Sequence, residues 1–233
     1  MRAYLLAGGH ATRLQPYSDV IPKCLLPVGG EPISRIIVRR LLDEGFEDVV
    51  LCVNERFEAE FRHEFRDLDV KFSVTPEPMG TAGEVHAALQ KYPADDAFLV
   101  VYGDDLTRIS YKRLAEHHEK SGADATIAVT TNVPLEVGVV RLKNGYVRSF
   151  VEKPSIREIC PTAYVWIGTA VFEPSTIELF APHRDIAKDI FPEMMRRGMK
   201  IATYVTEELW VDCGNIFHYK RAKEIFGREK RLG

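Results

Sequence analysis

The chain has 233 residues, 45% hydrophobic and 28% charged, which suits one large soluble domain with a filled core and is short for two. A formal charge of -3 offers no basic excess for nucleic acid, and no apolar run has the length of a membrane span or a signal peptide's core. Four cysteines without a C-x-x-C pair point to neither a zinc site nor a disulfide framework, so a soluble, cytoplasmic protein is expected.

Residues 3–7 read as a buried strand, followed by a polar loop rich in Gly and Pro that runs to Pro32. Between residues 33 and 44, Ile33, Ile36, Ile37 and Leu41 recur at helical spacing, and Gly45 supplies a stop. Residues 48–53 form a second apolar run of strand length. Phe57, Phe61 and Phe65 make one stripe of a helix and are assigned to core packing. A strand at 70–74, a helix at 83–92 and a strand at 97–102 continue the alternation. Ser110 then caps a helix reaching about residue 120, with Gly122 beyond it. His117 and His118, among charges near its end, read as a solvated face. This rhythm predicts a Rossmann-like three-layer α/β domain with a mixed, mainly parallel sheet.

After Ala125 the pattern changes to short strands at 126–131, 138–142, 146–152 and 163–172. Lys143-Asn144-Gly145 marks a hairpin between the middle two. Residues 126–172 are therefore expected to form a small antiparallel insertion over the active edge of a single domain, 1–233. Helical patterns return at 175–180 and 185–197, then a strand at 200–205 and a helix at 215–226.

The loop after the first strand carries the most chemistry. It reads Leu6-Ala7-Gly8-Gly9-His10-Ala11-Thr12-Arg13-Leu14-Gln15-Pro16, then Pro22-Lys23-Cys24-Leu25-Leu26-Pro27-Val28. Glycines at a strand end let backbone N–H groups reach phosphate oxygens without an intervening Cβ. Arg13 and Lys23 add two positive charges. A triphosphate needs that combination, although the spacing fits neither G-x-x-x-x-G-K-[ST] nor G-x-G-x-x-G.

This loop resembles the G-G-x-G-T-R-L-x-P-x-T-x-x-x-P-K signature of the sugar-1-phosphate nucleotidylyltransferases. Further segments resemble the same family in order along nearly the whole chain: Glu77-Pro78-Met79-Gly80-Thr81-Ala82-Gly83, Gly103-Asp104-Asp105, Val137-Gly138-Val139-Val140, Glu152-Lys153-Pro154 and Trp210-Val211-Asp212-Cys213-Gly214. The resemblance implies transfer from a nucleoside triphosphate to a sugar 1-phosphate, giving a nucleotide sugar and pyrophosphate. It implies Arg13 and Lys23 as catalytic cations. Leu6, Ala7, Gly8, Gly9, Glu77, Gly80, Thr81 and Gly103 would bind the nucleotide. Gly138, Glu152 and Lys153 would contact sugar and phosphate, and Asp104 and Asp212 would hold Mg²⁺. Hard carboxylate oxygens suit that ion, which commonly pairs one or two of them with substrate phosphates. Asp105 keeps a turn or cap role. No general base is expected, because a phosphate monoester is already mostly dianionic at neutral pH.

Two positions depart from the pattern. Ala11 stands at the third loop glycine, where a small residue still permits close approach. Trp166-Ile167-Gly168 is similar to the family's N-A-G segment beside the sugar, with an indole in place of the amide. Trp166 could stack on a sugar, fill part of the pocket, or face away into the core. Long family members carry a C-terminal left-handed β-helix that has no counterpart in these residues. Two other functions stay open: cytidylyl or uridylyl transfer to a non-sugar phosphate such as a polyol or choline phosphate, and a non-catalytic sensor of nucleotide sugars. The base, the acceptor and the oligomeric state, a homo-oligomer included, are not readable.

Overall fold

In β1 (Ala3–Leu6) successive side chains point to opposite faces, so Ala3 and Leu5 enter one apolar cluster while Tyr4 and Leu6 enter another. Both faces of this strand are covered, as expected of a strand that reads as one continuous apolar run. The computed structural model describes residues 1–9 and 21–227. After β1 come the two-residue strands β2 (Pro27–Val28) and β3 (Glu31–Pro32), then α1 (Ile33–Asp43), β4 (Val49–Asn54), α2 (Glu58–Glu64) and β5 (Lys71–Thr75). The middle of the chain holds α3 (Thr81–Lys91), β6 (Phe98–Tyr102), β7 (Asp105–Thr107), α4 (Tyr111–Ser121) and β8 (Ala125–Thr130). Then follow β9 (Gly138–Lys143), β10 (Tyr146–Glu152), α5 (Ile156–Ile159) and β11 (Val165–Phe172). The remainder is α6 (Phe191–Arg196), β12 (Ile201–Thr206), β13 (Trp210–Asp212) and α7 (Ile216–Phe226).

Seven strands form the main sheet in the order β12-β8-β11-β6-β1-β4-β5. Every neighbouring pair is parallel except those made by β11, which runs antiparallel to both β6 and β8. Ile37 and Leu41 of α1, Phe61 of α2, Leu114 of α4 and Ala222 of α7 cover one face. Val85 and Leu89 of α3 and Met194 of α6 cover the other. This is the mixed, mainly parallel three-layer arrangement predicted.

Three expectations need correction. Residues 126–131 and 163–172 belong to the main sheet as β8 and β11, so the separate antiparallel unit is smaller than 126–172. It is the β9–β10 hairpin, closed by Asn144 and Gly145 at φ +52° and +83°. His118 is not solvated: it lies one turn after Leu114 on the inner face of α4, with its ring nitrogens 2.8 Å from Thr126 Oγ1 and 3.0 Å from Glu173 Oε1. The helix expected over 185–197 is split into a π-type turn at Ile186–Ile190 and α6. Pro192 removes an N–H and crowds the carbonyl four residues earlier, which opens the preceding turn.

Candidate active site

The chain leaves β1 toward β4 and β5 on one side and returns to β6 on the other, so a crevice opens at the carboxyl ends of β1 and β6. Such a switch in strand order is where open α/β sheets bind ligands. A cleft of about 350 Å³ lies there. Of the residues singled out in the sequence, it is lined by Leu6, Gly9, Lys23, Thr81, Asp104, Trp166 and Asp212.

Lys23 is set on a single 3-10 turn, Lys23–Leu25, whose Cys24 is buried and anchors it. Its ammonium is paired with the Asp104 carboxylate, both largely buried. Burial opposes the Lys23 charge, yet the charge and hydrogen bond of Asp104 and the charge of Asp212 hold its pKa above the usual lysine value. Asp104 follows β6, and its backbone carbonyl accepts a bond of 2.9 Å from the Cys213 N–H. The short ladder between β7 and β13 sets Asp105 opposite Asp212. That pairing brings residues about a hundred positions apart to one wall. The W-x-D-x-G spacing has a local cause: the Gly214 N–H donates to Asp212 Oδ1 at 2.6 Å, and a Cβ on Gly214 would sit 2.6 Å from the same oxygen.

The other residues are engaged elsewhere. Gly8 does not line the cleft: a Cβ there would meet Glu84 Oε1 at 2.9 Å, whereas one on Gly9 would meet nothing within 4 Å among the described residues. The Ala7 N–H donates to the Cys52 carbonyl, and the Gly103 N–H to that of Leu6. Gly80 packs on the Arg184 carbonyl, which also accepts the Ala82 N–H, and the Thr81 hydroxyl donates to Asp185. Glu77 is exposed beyond β5. Gly138 and Glu152 face each other on the hairpin, and Lys153, at φ +48°, forms a salt bridge with Glu136 at 3.0 Å. His10, Ala11 and Arg13 lie outside the described residues.

Trp166 does not face away from the cleft. Its indole is held edge-on by Tyr102 and Phe191, each with centroids 5.1 Å away, and its N–H donates to the Thr169 carbonyl. It is a fixed part of the wall.

Five lining residues carry no site role in the sequence reading: Glu84, Tyr102, Asp105, Gly168 and Trp210. Asp105 begins a strand rather than serving as a turn or cap residue. Burial first, then the charges of Asp104 and Asp212, push its pKa well up, while Trp210 Nε1 donates to it at 3.1 Å. Glu84 sits one turn before Ala88 on the inner face of α3, a position that helical spacing does reveal. Its carboxyl is pushed up to about 7, by burial and then by Asp104, against the opposing Gly8 N–H and Lys23 charge.

The raised Glu84 value has a consequence for stability. The unfolded chain ionises this group near its ordinary 4.5, while the fold keeps it protonated up to about 7. Its contribution is therefore intact below about pH 4.5 and is lost as pH rises to 7 and beyond. Glu84→Gln, which is always neutral, should gain on the parent by on the order of 3 kcal/mol between pH 4 and pH 8. Urea midpoints of both proteins across that range check it, and a constant difference would refute the assignment.

Among the described residues no group of three or more His, Cys, Asp or Glu side chains is arranged to hold a metal ion, and no helix is long and apolar enough to cross a membrane. The profile of the nucleotidyl transferase family matches residues 2–228. A UTP–glucose-1-phosphate uridylyltransferase of Synechocystis is 28% identical, with 98% of this chain and 64% of that protein aligned. A mannose-1-phosphate guanyltransferase of Yarrowia lipolytica is 33% identical, over 92% of this chain and 61% of its own length. The chain thus spans about six tenths of the curated relatives it matches. The crystal structure of HddC from Yersinia pseudotuberculosis complexed with GMP-PN superposes with a TM-score of 0.73 at 24% identity, covering 97% of this chain and 99% of that one.

Proposed function

This chain belongs to the nucleotidyl transferase family, and from that premise we propose that it joins a nucleoside triphosphate to a sugar 1-phosphate, releasing pyrophosphate and a nucleotide sugar. The observation that carries this reading is the single cleft at the sheet's carboxyl edge in which Lys23, Asp104 and Asp212 meet. A phosphate oxygen of the acceptor attacks the α-phosphorus in line with the departing pyrophosphate. The acceptor is dianionic near neutrality, so the attack needs no protein base. The work left to the protein is to align two polyanions and offset the charge that grows on the leaving group. Lys23, kept charged by its acidic neighbours, serves that end, and Arg13 of the same loop is assigned to it with Lys23. Lys153 and Glu152 are assigned to the acceptor's phosphate and hydroxyls, and the Trp166 indole forms part of the cleft wall.

The donor set suits Mg²⁺: Asp104 and Asp212 are hard oxygen ligands on one wall, and substrate phosphates would complete the shell. When bound, the ion supplies positive charge against the triphosphate. The relatives' names mention uridylyl and guanylyl transfer, so the base is left unassigned. The test is a matrix of five nucleoside triphosphates against a panel of sugar 1-phosphates, polyol phosphates and choline phosphate, scored for pyrophosphate. One triphosphate with a sugar 1-phosphate should stand out. Turnover with non-sugar phosphates alone, or nucleotide-sugar binding without turnover under any divalent metal, would contradict the proposal.

A further inference from the structure

The two glycines that follow β1 have different surroundings. Gly8 is buried, whereas Gly9 is exposed and lines the cleft. Up to Ala7 the backbone is tied into the sheet: the Ala7 N–H donates to the Cys52 carbonyl at 2.8 Å, just past the last pair of β1 and β4, Leu6 with Cys52. The next amide, that of Gly8, belongs to a buried residue, and a buried N–H needs a partner. It finds one in the carboxyl of Glu84, from the first turn of α3. The approach is close. A Cβ on Gly8 would sit 2.9 Å from Glu84 Oε1 and 3.3 Å from the Asn54 backbone nitrogen, so only a glycine lets the carboxyl come this near.

Glu84 is itself held. Its own N–H donates to the Gly80 carbonyl at 2.9 Å, and the start of α3 is tied to the segment across from it. There the Arg184 carbonyl accepts the Ala82 N–H at 3.0 Å, and the Thr81 hydroxyl donates to Asp185 Oδ2 at 3.0 Å. The carboxyl therefore stands on a fixed helix end, in the wall of the same cleft as Gly9 and Lys23. Lys23, Asp104 and the thiols of Cys24 and Cys52 are the titratable groups around it. Burial keeps it protonated up to about 7, so below that pH it sets no charge against a polyanion. The transferase reading leaves this residue without a role.

We propose that Glu84 is a positioning residue for the triphosphate: by holding the Gly8 N–H within the protein it leaves the Gly9 backbone as the part of the loop offered to the phosphates. This rests on the transferase reading and deepens it. One glycine is the seat of the carboxyl, and the other is the face presented to the ligand. Glu84 touches no reacting atom; it acts through the backbone of the loop.

Calorimetric titration of the whole chain with inorganic tripolyphosphate in a Mg²⁺ buffer, and steady-state kinetics with the best triphosphate and sugar 1-phosphate, test the assignment. Glu84→Ala leaves the Gly8 amide unpaired. It should weaken tripolyphosphate binding and raise the KM for the triphosphate by about tenfold, with the KM for the sugar 1-phosphate changed by less than about twofold. Glu84→Gln keeps an oxygen for the amide and has the shape of the protonated acid, so it should restore both readouts to within about threefold of the parent. Gly8→Ala breaks the same contact from the other side, so the double variant with Glu84→Ala should lose little more than the weaker-binding single variant. Unchanged tripolyphosphate affinity in Glu84→Ala, a Gln variant as weak as the Ala variant, equal shifts in both KM values, or additive losses in the double variant would overturn the role. Tripolyphosphate binding that depends on Glu84 in a chain that turns over no triphosphate would leave the positioning role standing and remove the transferase reading.

Discussion

Asp104→Ala and Asp212→Ala are each expected to lower turnover by about 10²-fold or more, the cost of removing one preorganised charge partner from a water-poor site. The two should differ in stability. Asp104 is the buried partner of Lys23, and deleting one member of a buried pair leaves the other charge uncompensated, at roughly 3–5 kcal/mol. Asp212 is half-buried and accepts the Gly214 N–H from two residues on, so its loss should cost little stability. Initial rates of pyrophosphate release beside urea unfolding curves separate the effects. Near-normal turnover in either variant removes the two-carboxylate site from the account.

Gly168→Ala should be the most damaging single methyl addition near the cleft. Gly168 has φ +69°, and a Cβ there would lie 1.9 Å from Asp105 Oδ2 and 3.0 Å from Tyr102 Cβ. It sits in the irregular part of β11, where pairing with β8 shifts register between Trp166 and Ala170. The left-handed backbone costs about 1 kcal/mol for an L-residue. Moving a buried carboxylate off its Trp210 partner adds about 1–3 kcal/mol. A total near 3 kcal/mol corresponds to a fall in Tm of about 6–12 °C for a chain of this size. Gly9→Ala is the control: among the described residues nothing lies within 4 Å of a Cβ placed there, so its melting point should stay put. Thermal unfolding of both decides the matter, and equal melting points would mean that the Asp105 packing is unimportant.

The buried strands were legible because parallel strands covered on both faces leave continuous apolar runs, as in Ala3–Leu6 and Val49–Asn54. Sheet membership was not. β8 and β11 look like hairpin strands locally, and only β12 and β6 beside them make them part of the main sheet. His118 was misread because its sequence neighbours are charged, although helical spacing from Leu114 places it inside. Lys23, Asp104 and Asp212, which line the cleft, were singled out because their segments resemble the family's signature; a local cause of the spacing is visible for one of them, with Gly214 folded under Asp212. Glu84 and Asp105 were missed because a carboxylate in sequence reads as surface. Nothing local announces that Gly8 and Gly168 lack side chains so that those two carboxyls can be buried against them.

The central claim is that this cleft directs attack to the α-phosphorus. Supplying the productive triphosphate labelled at its α-phosphorus, and in a parallel reaction at its γ-phosphorus, with the sugar 1-phosphate tests it most directly. The α-label should appear only in the nucleotide sugar and the γ-label only in pyrophosphate. A γ-label recovered in orthophosphate or on the sugar would mean attack at a different phosphorus and would contradict the account.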